Sequence, residues 1–213
     1  SFKIQLEAVR QDGYAIRHIS KPFTDVQLEA VRQHAYAVQY IKNPSTDVQL
    51  EAVRRHGHAI QYIKNPSTDV QLEAVKHYGS AIQYIKNPSE EVQLAAVKQN
   101  GMAIHYIQNP HFYVQFAAIR QEVCSIQYIK NPFIEVQLQV VRQNGNLIEL
   151  IDDPPIDVQI EAIKQNIGCI VYIHVNPPCD ELLLFLYNMF IKTSDQRIGQ
   201  YLRCHKARLA MII

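Results

Sequence analysis

NPSTDVQLEAV, residues 43–53, returns letter for letter at residues 65–75, 22 positions further on. A core assembled once has no use for a copied segment, whereas a chain that stacks one small unit does. Prolines keep the same beat: Pro22, Pro44, Pro66, Pro88, Pro110, Pro132 and Pro154 stand 22 residues apart. Counted from its proline, the unit PSTDVQLEAVRRHGHAIQYIKN fills residues 44–65 as positions 1 to 22, and eight units align from Ser1 onward.

Within the unit, positions 5, 7, 9 and 10 (Val48, Leu50, Ala52, Val53) stay apolar and share one broad face at helical periodicity, which predicts a helix A. Position 14 is glycine in five of the eight units (Gly13, Gly57, Gly79, Gly101, Gly145), where a left-handed residue would end helix A. Positions 16, 17 and 20 (Ala59, Ile60, Ile63) then predict a shorter helix B, ended by the next proline. The fold class is all-α: an α-solenoid of about eight helix-turn-helix repeats of 22 residues with a C-terminal helical cap. One such hairpin is too small to fold alone, so stability comes from stacking neighbours. Two domains follow, a repeat solenoid over residues 1–176 and a cap over 177–213, where the pattern breaks after Pro177 and Pro178. The cap is expected to hold a helix near 181–191, an N-cap at Ser194 or Asp195, and one final helix striped by Ile198, Leu202, His205 and Leu209. It also carries a basic cluster of Arg197, Arg203, Lys206 and Arg208.

The lettering NPSEEVQLAAV, residues 87–97, resembles HEAT-like repeats and leucine-rich variant repeats, and most closely the uncharacterised short α-hairpin repeats of bacterial, phage and large-virus proteins. The resemblance covers residues 1 to about 175. It implies a curved right-handed stack and a binding role, and names no activity.

Composition narrows the function classes. A formal charge of +1 gives no whole-molecule field for collecting nucleic acid or anionic lipid. Cys124, Cys169, Cys179 and Cys204 form no C-x-x-C pair, which points to free thiols and an intracellular, cytoplasmic protein, in a host cell if it is a viral or secreted effector. No apolar run approaches a bilayer span, so no membrane role is expected. His34, His56, His58 and His77 match no zinc spacing and read as exposed turn residues. With no nucleophile, phosphate-loop or metalloprotease motif, the chain is expected to be no enzyme and to use no metal and no cofactor. Solenoid base-excision glycosylases make a base-modifying enzyme the third reading. The acid pair Asp152 and Asp153 is its one candidate, and it reads more simply as a cap on the next helix.

Two polar rows run along helix A. Gln at position 6 occurs in all eight units, from Gln5 to Gln159. A capping box with Thr24, Thr46 and Thr68 accounts for three of them, and an inter-repeat amide ladder serving turn backbone groups accounts better for the whole row. Position 11 is always Lys or Arg, beside a mostly Glu position 8 that is its i,i+3 neighbour. This suits a solvated face. Alternatively, Arg32, Arg54, Lys76, Lys98, Arg120 and Arg142, about 9 Å apart on stacked helices, form a phosphate-tracking row for nucleic acid, the second reading of function.

Specificity in a solenoid is written where units differ on an exposed face. Position 15 varies most, from Tyr14 through His58 and Met102 to Gly168, and shares a helix B face with Gln at position 18 and Tyr at position 19. The leading reading is therefore a non-enzymatic protein-binding scaffold, adaptor or inhibitor. Its candidate residues are Tyr36, Tyr40, His58, Tyr62, Tyr84, Met102, His105, Tyr106 and Tyr128. The same rings could instead cover the isoleucine stripe and pack between rungs. Self-association through the first repeat is also expected, from Ile4, Leu6 and Val9 on an unstacked end.

Overall fold

The computed structural model describes residues 1–173 and 179–213, and among them there are helices and turns but no strand. The chain is an all-α solenoid. It divides into two compact units, residues 1–129 and 130–213, each described by itself.

The first unit alternates ten-residue α-helices with six-residue 3-10 helices: α1 (Phe2–Gln11), η1 (Gly13–His18), α2 (Thr24–Gln33), η2 (Ala35–Tyr40), α3 (Thr46–Arg55), η3 (Gly57–Tyr62), α4 (Thr68–His77), η4 (Gly79–Tyr84), α5 (Glu90–Gln99), η5 (Gly101–Tyr106), α6 (Phe112–Gln121) and η6 (Val123–Tyr128). Each α-helix packs on its chain neighbours, and so does each 3-10 helix, in two parallel columns. From the second rung to the sixth the core is the same set of positions, with Ser125 for the alanine in the sixth, while the first rung buries only Val9 and Ile16 of it. In the third, Val48, Ala52, Val53, Ala59, Ile60 and Ile63 are buried, while Leu50 at the edge is only partly covered. At roughly 2–3 kcal/mol for a buried Ile, these side chains carry the stack.

Helix B is thus a 3-10 helix, not an α-helix. Six residues between extended flanks would leave almost every group of an α-helix unpaired, whereas i→i+3 bonds close at once. Ala59 N donates to His56 O at 2.8 Å and Ile63 N to Ile60 O at 3.0 Å.

The glycine has a different role from the one its sequence position suggests. No glycine has positive φ, and helix A ends instead in an extended residue at position 13, such as His56 at φ −155° and ψ 110°. What position 14 requires is space. A Cβ on Gly13 would lie 2.6 Å from Ala30 O, one on Gly101 2.7 Å from Ala118 O, and one on Gly57 would press into Ala74 O. The left-handed residue is the asparagine before the proline: Asn43, Asn65, Asn87 and Asn109 have φ of 49–53°. Proline bars its predecessor from the right-handed helical region, and asparagine tolerates the left-handed one. The 3-10 helix has already ended by then, at Tyr62 in the third rung, with Ile63 extended.

The second unit holds two further rungs, α7 (Ile134–Gln143) with η7 (Gly145–Leu150) and α8 (Ile156–Gln165) with η8 (Ile167–Tyr172). Three helices follow: α9 (Asp180–Thr193), α10 (Gln196–Cys204) and α11 (Lys206–Ile212). α9 packs on α8, α10 on η8, and α11 on α9, burying Leu182, Leu183, Leu186, Ile198, Leu202 and Leu209. The expected single final helix is two, because the chain breaks at His205, where φ is −115° and ψ 21°. Ser194 ends α9 in the left-handed region and Asp195 caps α10, accepting from Arg197 N at 2.8 Å. Pro177 and Pro178, and with them the expected boundary at 176, lie outside the described residues.

Candidate binding face

The 3-10 column carries a ladder of rings. Position 15 of one rung meets positions 13 and 19 of the next. Tyr14 stacks on His34 at 4.6 Å and meets Tyr40 edge-on at 6.1 Å. Tyr36 shares a 3.0 Å hydrogen bond with His56 Nδ1 and meets Tyr62 edge-on at 5.9 Å. His58 packs against Tyr78 and Tyr84, each at 5.7 Å, and shares a 2.9 Å hydrogen bond with Ser80 Oγ. His105 touches Tyr106 and Tyr128. Tyr40, Tyr62, Tyr84 and Tyr128 therefore pack between rungs, and together with Tyr106 they still face solvent at 41–44% exposure. Tyr36, His58 and Met102 beneath them are half-buried, and His105 is exposed.

Burial first, and then His56 beside it, hold His58 below the ordinary histidine range. Burial, reinforced by neighbouring tyrosines, raises Tyr36. His56 and His58 are thus ladder members rather than exposed turn residues, while His77 is exposed on helix A. Among the described residues no three His, Cys, Asp or Glu side chains converge as a metal group would require. The four cysteines are free, and burial pushes Cys169 up to about 11.

The glutamine rows are local. At position 18, Gln39, Gln61, Gln83 and Gln127 each donate at 3.0 Å to the carbonyl three residues back. At position 6, Gln49 Nε2 donates to Pro44 O at 2.8 Å, and Gln27, Gln71, Gln93, Gln115, Gln137 and Gln159 do the same in their own rungs. These amides serve the turn backbone as expected, but within a rung. Gln5 bonds Lys21 O at the end of its own rung and Phe23 N at the start of the next, both at 3.4 Å. The threonine capping box fails as well. The caps are Ser45, Ser67 and Ser89, one residue earlier, accepting from Val48, Val70 and Val92 N.

On the helix A column most of the charges pair across rungs, and the expected i,i+3 pair forms once among the described residues, between Lys164 and Glu161 at 3.7 Å. Arg32 reaches Glu51 at 3.6 Å, Arg54 reaches Glu73 at 3.1 Å and Arg142 reaches Glu161 at 2.9 Å. The hydrogen bond from Arg142 holds the Glu161 carboxyl below its usual range. Position 8 becomes Ala95, Ala117 and Gln139 in the middle of the chain, and among the described residues Lys76, Lys98 and Arg120 make no ion pair. Lys76 and Lys98 flank a 620 Å³ groove floored by Leu50, Leu72 and Ala95.

Three other sequence expectations change. The C-terminal basic cluster is partly neutralised, since Arg197 pairs with Asp195 at 3.0 Å and Arg208 with Asp180 at 2.8 Å. Asp153 caps nothing: it takes the left-handed place of the asparagine, and α8 begins after Pro155 with no side-chain cap. On the first helix Ile4 is 71% exposed but Val9 is fully buried, so the apolar face offered for self-association is smaller than the sequence suggests.

A feature that sequence reasoning missed is the lysine at position 21. Lys42, Lys64 and Lys86 are exposed, line clefts beside the tyrosines and make no ion pair among the described residues. The signal was present as the repeated letters YIKNP.

Residues 68–109 match the model of a family described as a domain of unknown function (DUF4116). The match starts at the first residue of α4 and ends at Asn109, so it spans two successive rungs of a helical repeat protein. No curated protein and no solved structure matches the chain. Among the described residues no helix is long and apolar enough to cross a membrane.

Proposed function

We propose that the chain is a non-enzymatic protein-binding scaffold, acting as an adaptor or inhibitor, whose recognition face is the 3-10 column and whose α9–α11 helices serve as a C-terminal cap. One observation carries this reading. The same tyrosine is presented in successive rungs, held from below by a ring of the preceding rung yet two-fifths exposed. Rigid, half-exposed phenols give contact area at low entropic cost, and the changing residue at position 15 beneath them supplies specificity.

The test is a paired affinity purification from extract of the source cells, with wild type and Tyr62→Ala plus Tyr84→Ala as baits. Partners should weaken by about 2 kcal/mol or more, while stability falls by only about 1 kcal/mol per lost ring contact. Arg54→Ala plus Lys76→Ala serves as control.

The unpaired Lys76, Lys98 and Arg120 favour a second reading, nucleic-acid binding on the helix A column. The cross-rung ion pairs of Arg32, Arg54 and Arg142 weigh against it, since they cancel charge that phosphate would need. Intact capture by the tyrosine variant, with capture lost in the control, would move the site to that column.

A further inference from the structure

Clefts of 480, 490 and 580 Å³ open between successive rungs of the first compact unit. They are built from the same places in the repeat: the lysine at position 21, the left-handed asparagine, its proline, the position 6 glutamine, and the tyrosine of the next rung (Tyr62, Tyr84 and Tyr106 in turn). Two kinds of unused binding capacity meet there. Among the described residues Lys42, Lys64 and Lys86 have no ion-pair partner, and no carboxylate lines any of the three clefts. Asn43, Asn65 and Asn87 are exposed, and among the described residues their side-chain amides make no hydrogen bond.

The strip therefore offers one cation, one free amide and one phenol per rung. Packed helices stand about 8–10 Å apart. A polyproline II segment rises about 3.1 Å per residue with three residues per turn, or roughly 9.3 Å per turn. Its peptide groups have no internal partners, which is what a free asparagine amide can satisfy, and its ring-rich sides suit tyrosine grooves. A nucleic-acid strand presents a phosphate for every nucleotide, with a spacing of about 3.4 Å per strand in a duplex. That is denser than one lysine per rung. The run of consecutive lysines is three long, since position 21 turns to Gln108 before Lys130 and then to Asp152.

We propose that the clefts beside Tyr62, Tyr84 and Tyr106 bind an extended acidic polypeptide segment with a carboxylate at every third residue, one carboxylate to each of Lys42, Lys64 and Lys86. The proposal rests on the protein-binding reading above and names the chemistry of the partner.

Fluorescent peptides titrated into the full chain test it: repeated Pro-Pro-Glu triplets, repeated Pro-Pro-Gln triplets and an alternating Pro-Glu peptide, with oligothymidine alongside. The Pro-Pro-Glu peptide should bind saturably and lose about tenfold or more in affinity with Lys64→Gln plus Lys86→Gln, exposed positions whose replacement leaves melting unchanged. The Pro-Pro-Gln and alternating peptides should bind about tenfold more weakly than Pro-Pro-Glu. Equal binding of the alternating peptide would overturn the register. Tighter binding of oligothymidine, lost with the same lysines, would overturn the peptide in favour of nucleic acid. No binding of Pro-Pro-Glu overturns the inference alone, because the paired purification reads Tyr62 and Tyr84 with the lysines intact and decides the wider reading separately.

Discussion

The rungs from Tyr14 to Tyr84 and those from Asn144 to Tyr172 build one joint in two chemistries. In both, position 15 of a rung meets position 13 of the next. Between Tyr14 and His34, Tyr36 and His56, and His58 and Tyr78, the joint is a pair of rings. Between Asn146 and Asn166 it is an amide pair, with Asn166 Nδ2 donating to Asn146 Oδ1 at 2.9 Å. Asn166 Oδ1 also accepts from Gly168 N, capping its own 3-10 helix, a bond that His56 in the ring version does not make. The backbone is the same at His56 and Asn166, with position 13 extended in both. Rung geometry is thus set by the buried valines, alanines and isoleucines, and the joint is free to change. Its ring form also props the next tyrosine outward, and this links stability to recognition in one part of the chain.

The comparison can be broken at several points. The largest effect is expected where both regions are alike. Gly57→Ala and Gly145→Ala each drive a Cβ into the carbonyl of the next rung (Ala74 and Ala162) and should cost about 2–3 kcal/mol. Denaturant unfolding that finds either one neutral would show that the column can shift.

Next comes the joint itself. His56→Ala removes rings packed on Tyr36, His58 and Tyr78 and should cost about 2 kcal/mol. Asn166→Ala removes two hydrogen bonds and should cost about 1–2 kcal/mol. His56→Asn, which swaps one joint chemistry for the other, should recover part of the loss by capping. If it is as damaging as alanine in thermal melts, the two joints are not interchangeable.

Acid should separate the regions more gently. An unfolded histidine takes up its proton near pH 6.5, but folded His58 resists it through burial and His56, with Tyr78 and Tyr84 packed around it. Stability from this source is complete above that pH and declines as pH falls through it toward the lower folded value. Melting temperature measured from pH 8 to pH 5 should fall less for His58→Gln than for wild type. Identical profiles would exclude His58. The smallest effect belongs to the charge ladder: Arg54→Ala should cost about 0.5 kcal/mol or less, since the pair with Glu73 is largely solvated.

Much of this was legible in the letters. Val48, Ala52 and Val53 recur at helical spacing, and Ile60 and Ile63 return every 22 residues, so the stack followed from periodicity alone. What stayed hidden needed a neighbour in space. Gly57 looks like a helix stop until Ala74 O is brought against it, and Glu73 looks like an i,i+3 partner of Lys76 until Arg54 arrives from 19 residues away. Pairing of position 15 with position 13 requires the stacking register, which no single unit contains. The shortness of the second helix was visible, but the choice of 3-10 over α depended on the extended residues that flank it. At the candidate face the tyrosines were legible. Lys42, Lys64 and Lys86 were not, because a lone lysine before Asn-Pro carries meaning only when the clefts line up.

The asparagine row has a consequence for chemical ageing. Asparagine deamidates when the nitrogen of the following residue attacks its side-chain carbonyl to close an imide, and proline has no N–H to lose in that step. Asn43, Asn65, Asn87 and Asn109 each precede a proline, so the imide route is closed to these amides and they deamidate far more slowly. The liability falls instead on Asn100 and Asn144, each followed by glycine. Gly145 N donates to Gln165 Oε1 at 2.7 Å, which holds that nitrogen away from its own asparagine. In the rung where aspartate replaces the row, Asp153 precedes Pro154, and hot dilute acid cuts such a bond: an old or acid-treated sample should part there, while every Asn-Pro rung stays whole.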